Sequence, residues 1–379
     1  MKNSKIWISP PHMGDKEQGY VQEAFDANWI ASEGANLIGF EDALEAYLSQ
    51  DKSVCVLSSG TAAIHLGLIL LGVKTGDEVL CQSMTFSASA NPILYLGAIP
   101  VFIDSEYDTW NLCPLALEKA ILDRIANGKK PKVIIAVHLY GVPYKIDEIR
   151  EIADRYEIPI LEDSAEALGS SYKGRKCGTF GEIGVLSFNG NKIITSSGGG
   201  AIVSNSKSLK EKALFLATQS RDLAVHYQHS EIGYNYRLSN ICAGIGRGQM
   251  EVLDSRVQAR RRMHDFYVDL FKEIIGVRVF TVSNHDNFAN YWLSSVLIDP
   301  EVTKGIDREA VRLAFESENI ECRPIWKPMH LQPIFEKYPY YGSNVAATLF
   351  EKGLCLPSGS NLTDEDRERI REVILKIFK

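Results

Sequence analysis

The chain has 379 residues, 45% of them hydrophobic and 23% charged, enough for a substantial core and more than one structural unit. Its net charge of −7 argues against non-specific nucleic-acid binding, and no apolar run approaches the roughly 18–20 residues that span a bilayer. The segment MKNSKIWISPPHMGDKEQ lacks the apolar stretch of a secretion signal. The seven cysteines include no CxxC pair, and the eight histidines show no metal spacing, so reduced thiols, no metal and a cytoplasmic location are expected.

Apolar residues recur at helical spacing over 15–29 (Tyr20, Val21, Ala24, Phe25) and over 39–49 (Phe40, Ala43, Leu44, Tyr47, Leu48). Strand-like and helix-like segments then alternate. A strand over 54–57 leads to a helix over 61–71, then to strands over 78–82 and 100–104. KVIIAV, over 132–137, reads as the strongest buried strand. A helix over 146–156 and strands over 159–162, 185–188 and 201–204 follow. Such alternation predicts an α/β layer with a mainly parallel sheet covered on both faces. After about residue 250 the pattern changes to one long helix over 249–275, a strand over 292–297, and helices over 308–318 and 363–378. Residues 1–250 are therefore assigned to a large domain and 251–379 to a smaller α+β domain.

In open α/β sheets, ligands gather beyond the carboxyl ends of the strands. The strand over 54–57 runs through Ser58, Ser59, Gly60 and Thr61 straight into a helix. Glycine admits a ligand close to the backbone, and the N–H groups of a helix start attract an anion such as phosphate; an ordinary helix cap has the same composition. No GK[ST] follows, so this is not a Walker A loop. The strand over 159–162 ends at Asp163 in ILEDSAEA, where a carboxylate suits a protonated heterocycle or caps the next turn. The segment SFNGNKIITSSGGG sets Ser187 and Lys192 between a strand end and the glycines Gly198, Gly199 and Gly200. A partly buried lysine there is a nucleophilic amine able to form a Schiff base; an exposed one is a plain loop residue. In this order, a phosphate cradle, a strand-end carboxylate and a lysine are what pyridoxal phosphate requires.

The motifs NWIASEG, SSGTAAIHL, MTFSASANPILYLGAIPVFID, HLYGVP, LEDSAEALGS, GTFGEIGVLSFNGNKIITSSGGG, GYNYRLSNICAGIG and KPMH are spread over 28–332. As a set they resemble the DegT/DnrJ-type sugar aminotransferases. The resemblance implies the pyridoxal-phosphate transferase fold of type I, resembling aspartate aminotransferase, in a homodimer with shared active sites. It implies Lys192 as Schiff-base lysine and general base, Asp163 on the pyridinium nitrogen, and Gly60, Thr61 and Ser187 on the phosphate. Phe86, otherwise a core aromatic, stacks on the ring in this reading. Glu166 stands near the ring hydroxyl, where relatives often carry His or Gln, and Asn235 reaches the phosphate of the neighbouring subunit's cofactor. Trp29 and Ala31 of NWIA, Arg237 and His330 fall near the substrate, a structural ion pair being the other role open to Arg237.

Lys192 separates this chain from the family's dehydratases, which carry histidine there. The implied cycle passes the amine of L-glutamate through pyridoxamine phosphate to a nucleotide-linked keto sugar. PPHMG, NWIA and the Lys192 segment look most like the subgroup acting at C4 of UDP-linked 4-keto-6-deoxy-N-acetylglucosamine, a precursor of bacillosamine-type sugars. The dTDP-4-keto-6-deoxyglucose enzymes and the C3 enzymes are near neighbours, and a non-catalytic, regulatory pyridoxal-phosphate protein carries the same cofactor motifs. The arginines of 256–262 are expected on a solvated helix face, and His226, His229, Tyr340 and Tyr341 at the surface or in packing.

Overall fold

A computed structural model describes residues 4–379. Its first strands are β1 (Ser53–Leu57), β2 (Glu78–Gln82), β3 (Ile99–Ile103), β4 (Val133–Val137) and β5 (Ile160–Asp163). Then come β6 (Ser171–Tyr172), β7 (Arg175–Lys176), β8 (Ile183–Ser187), β9 (Gly200–Ser204) and β10 (Val277–Val279). The last are β11 (Asn287–Phe288), β12 (Ser295–Ile298), β13 (Arg323–Pro324), β14 (Tyr340–Tyr341) and β15 (Gly353–Cys355).

Eight strands form one sheet in the order β1-β9-β8-β5-β4-β2-β3-β14. Only β9 runs against its neighbours; the pairs from β8 to β14 are parallel. The side chains explain this. β1, β2, β4, β5 and β8 are buried at every position, which requires a sheet covered on both faces. Alternate residues of one strand serve opposite layers. Ile135 joins Leu161 and the helices Gly60–Leu70, Ser87–Tyr95 and Lys207–Ala217 on one side. Ile134 joins Ile160 and the helices Pro114–Ala126 and Ile146–Arg155 on the other.

A second, antiparallel sheet has the order β10-β12-β15-β13. The helices Leu253–Phe271, Arg308–Ser317 and Asp364–Ile377 pack on it through Tyr267, Phe315 and Ile370. Ile6 is buried in this cluster and bridges to Ile320, while β14 returns to pair with β3. Chain from either side of residue 250 thus enters both bodies. A small sheet, β11-β6-β7, links them further.

The long helix expected over 249–275 is two helices, Asn240–Met250 and Leu253–Phe271. Ser239 caps the first by accepting the Cys242 N–H at 3.2 Å, and the chain breaks at Glu251 and Val252. The strand expected over 292–297 starts only at Ser295, because Tyr291 has φ 49° and Trp292 N–H turns back to Asn290 Oδ1 at 2.8 Å. The helix Ser87–Tyr95 escapes a periodicity reading because its first turns, Ser87 to Asn91, are small residues without an apolar stripe and Pro92 follows inside it. Arg260 corrects the expected solvated face: it is 1% exposed. Tyr340 and Tyr341 pack on β3, and His226 and His229 are exposed.

Candidate active site

A cavity of about 590 Å³ opens beyond the carboxyl ends of β1, β4, β5 and β8. Its floor is set by one helix start. Ser59 caps the helix Gly60–Leu70 by accepting the Ala62 N–H at 3.0 Å, leaving the first helical turn aimed at the cavity beside Ser187. The three-glycine run has a steric reason at its last member. A Cβ on Gly200 would stand 2.4 Å from the backbone of Ser59 and Gly60, so β9 fits there only without a side chain.

Asp163 ends β5, lines the cavity and is 5% exposed. Ser89 Oγ donates to its Oδ2 at 2.6 Å, and Thr85 Oγ1 lies 2.6 Å from Ser89 Oγ, so two hydroxyls orient the carboxylate. Lys192 lines the same cavity. Its Nζ donates to Glu166 Oε1 at 3.2 Å and lies 4.4 Å from the Trp292 ring centroid. Glu166 Oε2 accepts the Tyr140 N–H at 2.7 Å, with Tyr140 held at φ 53°. Burial pushes the Glu166 carboxyl up to about 7 against the opposing pull of the Lys192 cation. Glu166 can therefore gain or lose a proton near neutral pH. Phe86 lines the cavity with 56% of its surface exposed, its ring 5.6 Å from that of Trp326.

Seven of the residues singled out from the sequence line this one cavity: Gly60, Thr61, Phe86, Asp163, Glu166, Ser187 and Lys192. The other five lie elsewhere in the protomer. Asn235 and Arg237 line a second hollow of about 970 Å³ together with Gly34 and Leu223. Arg237 donates to Glu41 Oε1 at 2.5 Å with both side chains 9% exposed, which is the structural ion pair. The Trp29 and Ala31 carbonyls accept from Asn240 at 2.7 and 2.6 Å and tie down the helix Asn240–Met250. His330 stacks on Tyr340 at 3.8 Å and lies 2.6 Å from Ser83 Oγ. Trp292, Arg323 and Trp326 also line the cavity and were not singled out from the sequence, although Trp326 directly precedes KPMH.

The donor set fits pyridoxal phosphate: one cavity is lined by a helix start with hydroxyls, a strand-end carboxylate, an amine and an exposed aromatic ring. Gly60, Thr61 and Ser187 would hold the phosphate, Asp163 the ring nitrogen and Phe86 the ring face. When bound, the cofactor supplies an aldehyde and a ring able to take up the electron pair left by a lost α-proton. The chain's own work would be to present the Lys192 amine, to accept or return a proton at its Nζ, and to keep Glu166 beside it.

A cavity of this make-up at the carboxyl edge of this sheet defines a pyridoxal-phosphate-dependent aminotransferase of fold type I. The chain belongs to the DegT/DnrJ/EryC1/StrS aminotransferase family, whose model matches residues 11–375. It is 50% identical to EpsN of Bacillus subtilis (strain 168), whose name describes a pyridoxal phosphate-dependent aminotransferase, over 99% of this chain and 96% of that protein. It is 38% identical to the GDP-perosamine synthase of Escherichia coli O157:H7 over 98% of each chain. A DegT/DnrJ/EryC1/StrS aminotransferase from Brucella abortus superposes with a TM-score of 0.88 at 27% identity, covering 96% of this chain and 95% of that one. The protein is a pyridoxal-phosphate-dependent aminotransferase. No helix among the described residues is long and apolar enough to cross a membrane.

Proposed function

We propose that the chain moves the amine of L-glutamate to C4 of UDP-2-acetamido-2,6-dideoxy-4-keto-glucose. One observation carries the sugar assignment. The N-terminal segment holding the PPHMG motif runs into the cavity: Ile8 lines it, and Ser9 Oγ donates at 2.6 Å to the Asn191 carbonyl beside Lys192. The segment whose sequence most resembles the UDP-sugar subgroup therefore borders the reacting lysine. Identity of 34–38% to proteins named GDP-perosamine synthase favours a second reading, the same amination on a GDP-linked keto sugar.

The active unit in this reading is a homodimer. Asn235 faces the second hollow, and the loop beside it carries Leu223 and Val225 fully exposed with Ile232 at 83%. A second copy of the chain would cover these apolar side chains and bring Asn235 to its own cofactor phosphate.

Incubation with L-glutamate and a panel of UDP-, GDP- and dTDP-linked 3-keto and 4-keto sugars, with products read by mass spectrometry and NMR, tests the assignment. The expected product is the 4-amino UDP sugar. Amination only of a GDP or dTDP sugar replaces the nucleotide, and amination only of a 3-keto sugar refutes the position. If L-glutamate fails to convert the bound cofactor to pyridoxamine phosphate, the protein is a non-catalytic binder.

A further inference from the structure

A buried cation lies behind the active-site lysine. Arg260, in the helix Leu253–Phe271, is 1% exposed, and its guanidinium donates only to neutral acceptors among the described residues. Nη1 donates to the carbonyls of Trp292 at 2.6 Å and Ser358 at 3.2 Å, and Nη2 donates to Ser9 Oγ at 2.8 Å. Burial alone lowers its pKa to about 9, which still leaves it protonated at neutral pH. Taking a cation out of water without an acid beside it costs several kcal/mol. Packing alone gives no reason to keep it, but its acceptors do.

Both arms of the guanidinium converge on one peptide. Ser9 Oγ donates onward to the Asn191 carbonyl at 2.6 Å, and Trp292 Nε1 donates to the same oxygen at 2.7 Å. That carbonyl is bonded directly to the nitrogen of Lys192, and the Trp292 ring is the one lying 4.4 Å from Lys192 Nζ. We propose that Arg260 is a positioning residue for the amination: by holding Ser9 and Trp292 on the Asn191 carbonyl, it sets where the Lys192 amine stands in the cavity. This rests on Lys192 being the cofactor lysine. The planar fork matters, because its acceptors lie in two directions that a single ammonium cannot serve together. The same fork ties the segment of Ile8 and Ser9, on the sugar side, to the lysine, so cofactor and sugar share one support.

The test uses the full chain as wild type, Ser9→Ala, Arg260→Lys and the double variant, each freed of cofactor. Pyridoxal phosphate is added, its attachment is trapped with borohydride over time, and the labelled peptide is identified by mass. Each single variant should keep its circular dichroism yet attach the cofactor at Lys192 about tenfold more slowly, because ~1 Å of misplacement costs up to ~10²-fold. The double variant should be no slower than Arg260→Lys, since both changes act through one carbonyl. In turnover, kcat falls by the same factor while KM for L-glutamate stays put. If Arg260→Lys does not fold, Ser9→Ala decides alone. Wild-type attachment rates in the folded variants, with only a lower melting temperature, reduce Arg260 to a structural role and overturn the proposal. Trapping at another lysine in the wild-type protein removes instead the assignment of Lys192 and everything resting on it.

Discussion

Replacing Glu166 with Gln should change how stability depends on pH. The carboxyl is buried in the cavity wall, and burial lifts it from an ordinary 4.5 to about 7 even after Lys192 and the Tyr140 N–H have pulled it down. A folded pKa above the unfolded one means that the folded state holds its proton more tightly. The resulting stability is complete below 4.5 and is lost as pH rises through about 7. The interval is worth about 3 kcal/mol at ~1.4 kcal/mol per pH unit. Glu166→Gln keeps the shape and removes the titration. Subtracting the two unfolding free energies cancels the groups remote from Glu166, which titrate alike in both proteins. The difference should move by about 3 kcal/mol in favour of the variant between about pH 4.5 and about pH 8. Urea unfolding of cofactor-free protein in closely spaced pH steps, followed by tryptophan fluorescence and circular dichroism, measures it. A flat difference curve would mean that Glu166 stays ionised throughout, and the raised carboxyl would be refuted.

Gly200→Ala puts a methyl 2.4 Å from the Ser59–Gly60 backbone, so stability should drop by about 2 kcal/mol and cofactor affinity should weaken. Wild-type affinity in spectroscopic titration would remove the phosphate-cradle reading of Gly60. Arg237→Met strands the buried Glu41 with Lys210 Nζ at 3.4 Å as its remaining cation, so thermal and urea unfolding should show a loss of about 3 kcal/mol. Lost activity at an unchanged melting temperature would restore a substrate role for Arg237. Ser89→Ala deletes the hydroxyl donated to Asp163 Oδ2 at 2.6 Å. It should slow the glutamate half-reaction about tenfold at a stability cost near 1 kcal/mol, read from the absorbance of the pyridoxamine form. An unchanged half-reaction would show that Asp163 needs no such orientation.

What could be read from the sequence was local. β4 announces itself because a strand buried on both faces must be apolar throughout. Gly60 with Thr61, Asp163 with Glu166, and Ser187 with Lys192 each sit within a few residues of a strand end, where ligands gather. The supports of the site were hidden for the opposite reason. Trp292 meets Asn191 across 101 residues, and Ser9 meets Arg260 across 251. Arg260 sits in QARRRMHD, a run that reads as a wetted helix face until the tertiary fold buries one of its arginines. Its spacing of three from Val257 and Met263 and seven from Leu253 and Tyr267 puts that arginine on the helix's apolar stripe, a signal masked by the run of three arginines. The five site candidates outside the cavity came from resemblance alone, with no strand-end position to place them.

β14 is two residues long, yet it occupies the last place in the eight-stranded sheet, pairing Tyr340 with Phe102 and Tyr341 with Ile103. Those partners are separated by most of the chain, so the loop-closure entropy of this contact is met late in folding. Until then β3 presents an edge of unpaired N–H and C=O groups, the kind of surface onto which another chain adds itself. Synthesis must therefore run nearly to completion before the edge is sealed. Refolding yield should fall steeply with protein concentration, and chains that stop short of residue 340 should aggregate although the lysine loop and phosphate cradle have already been made.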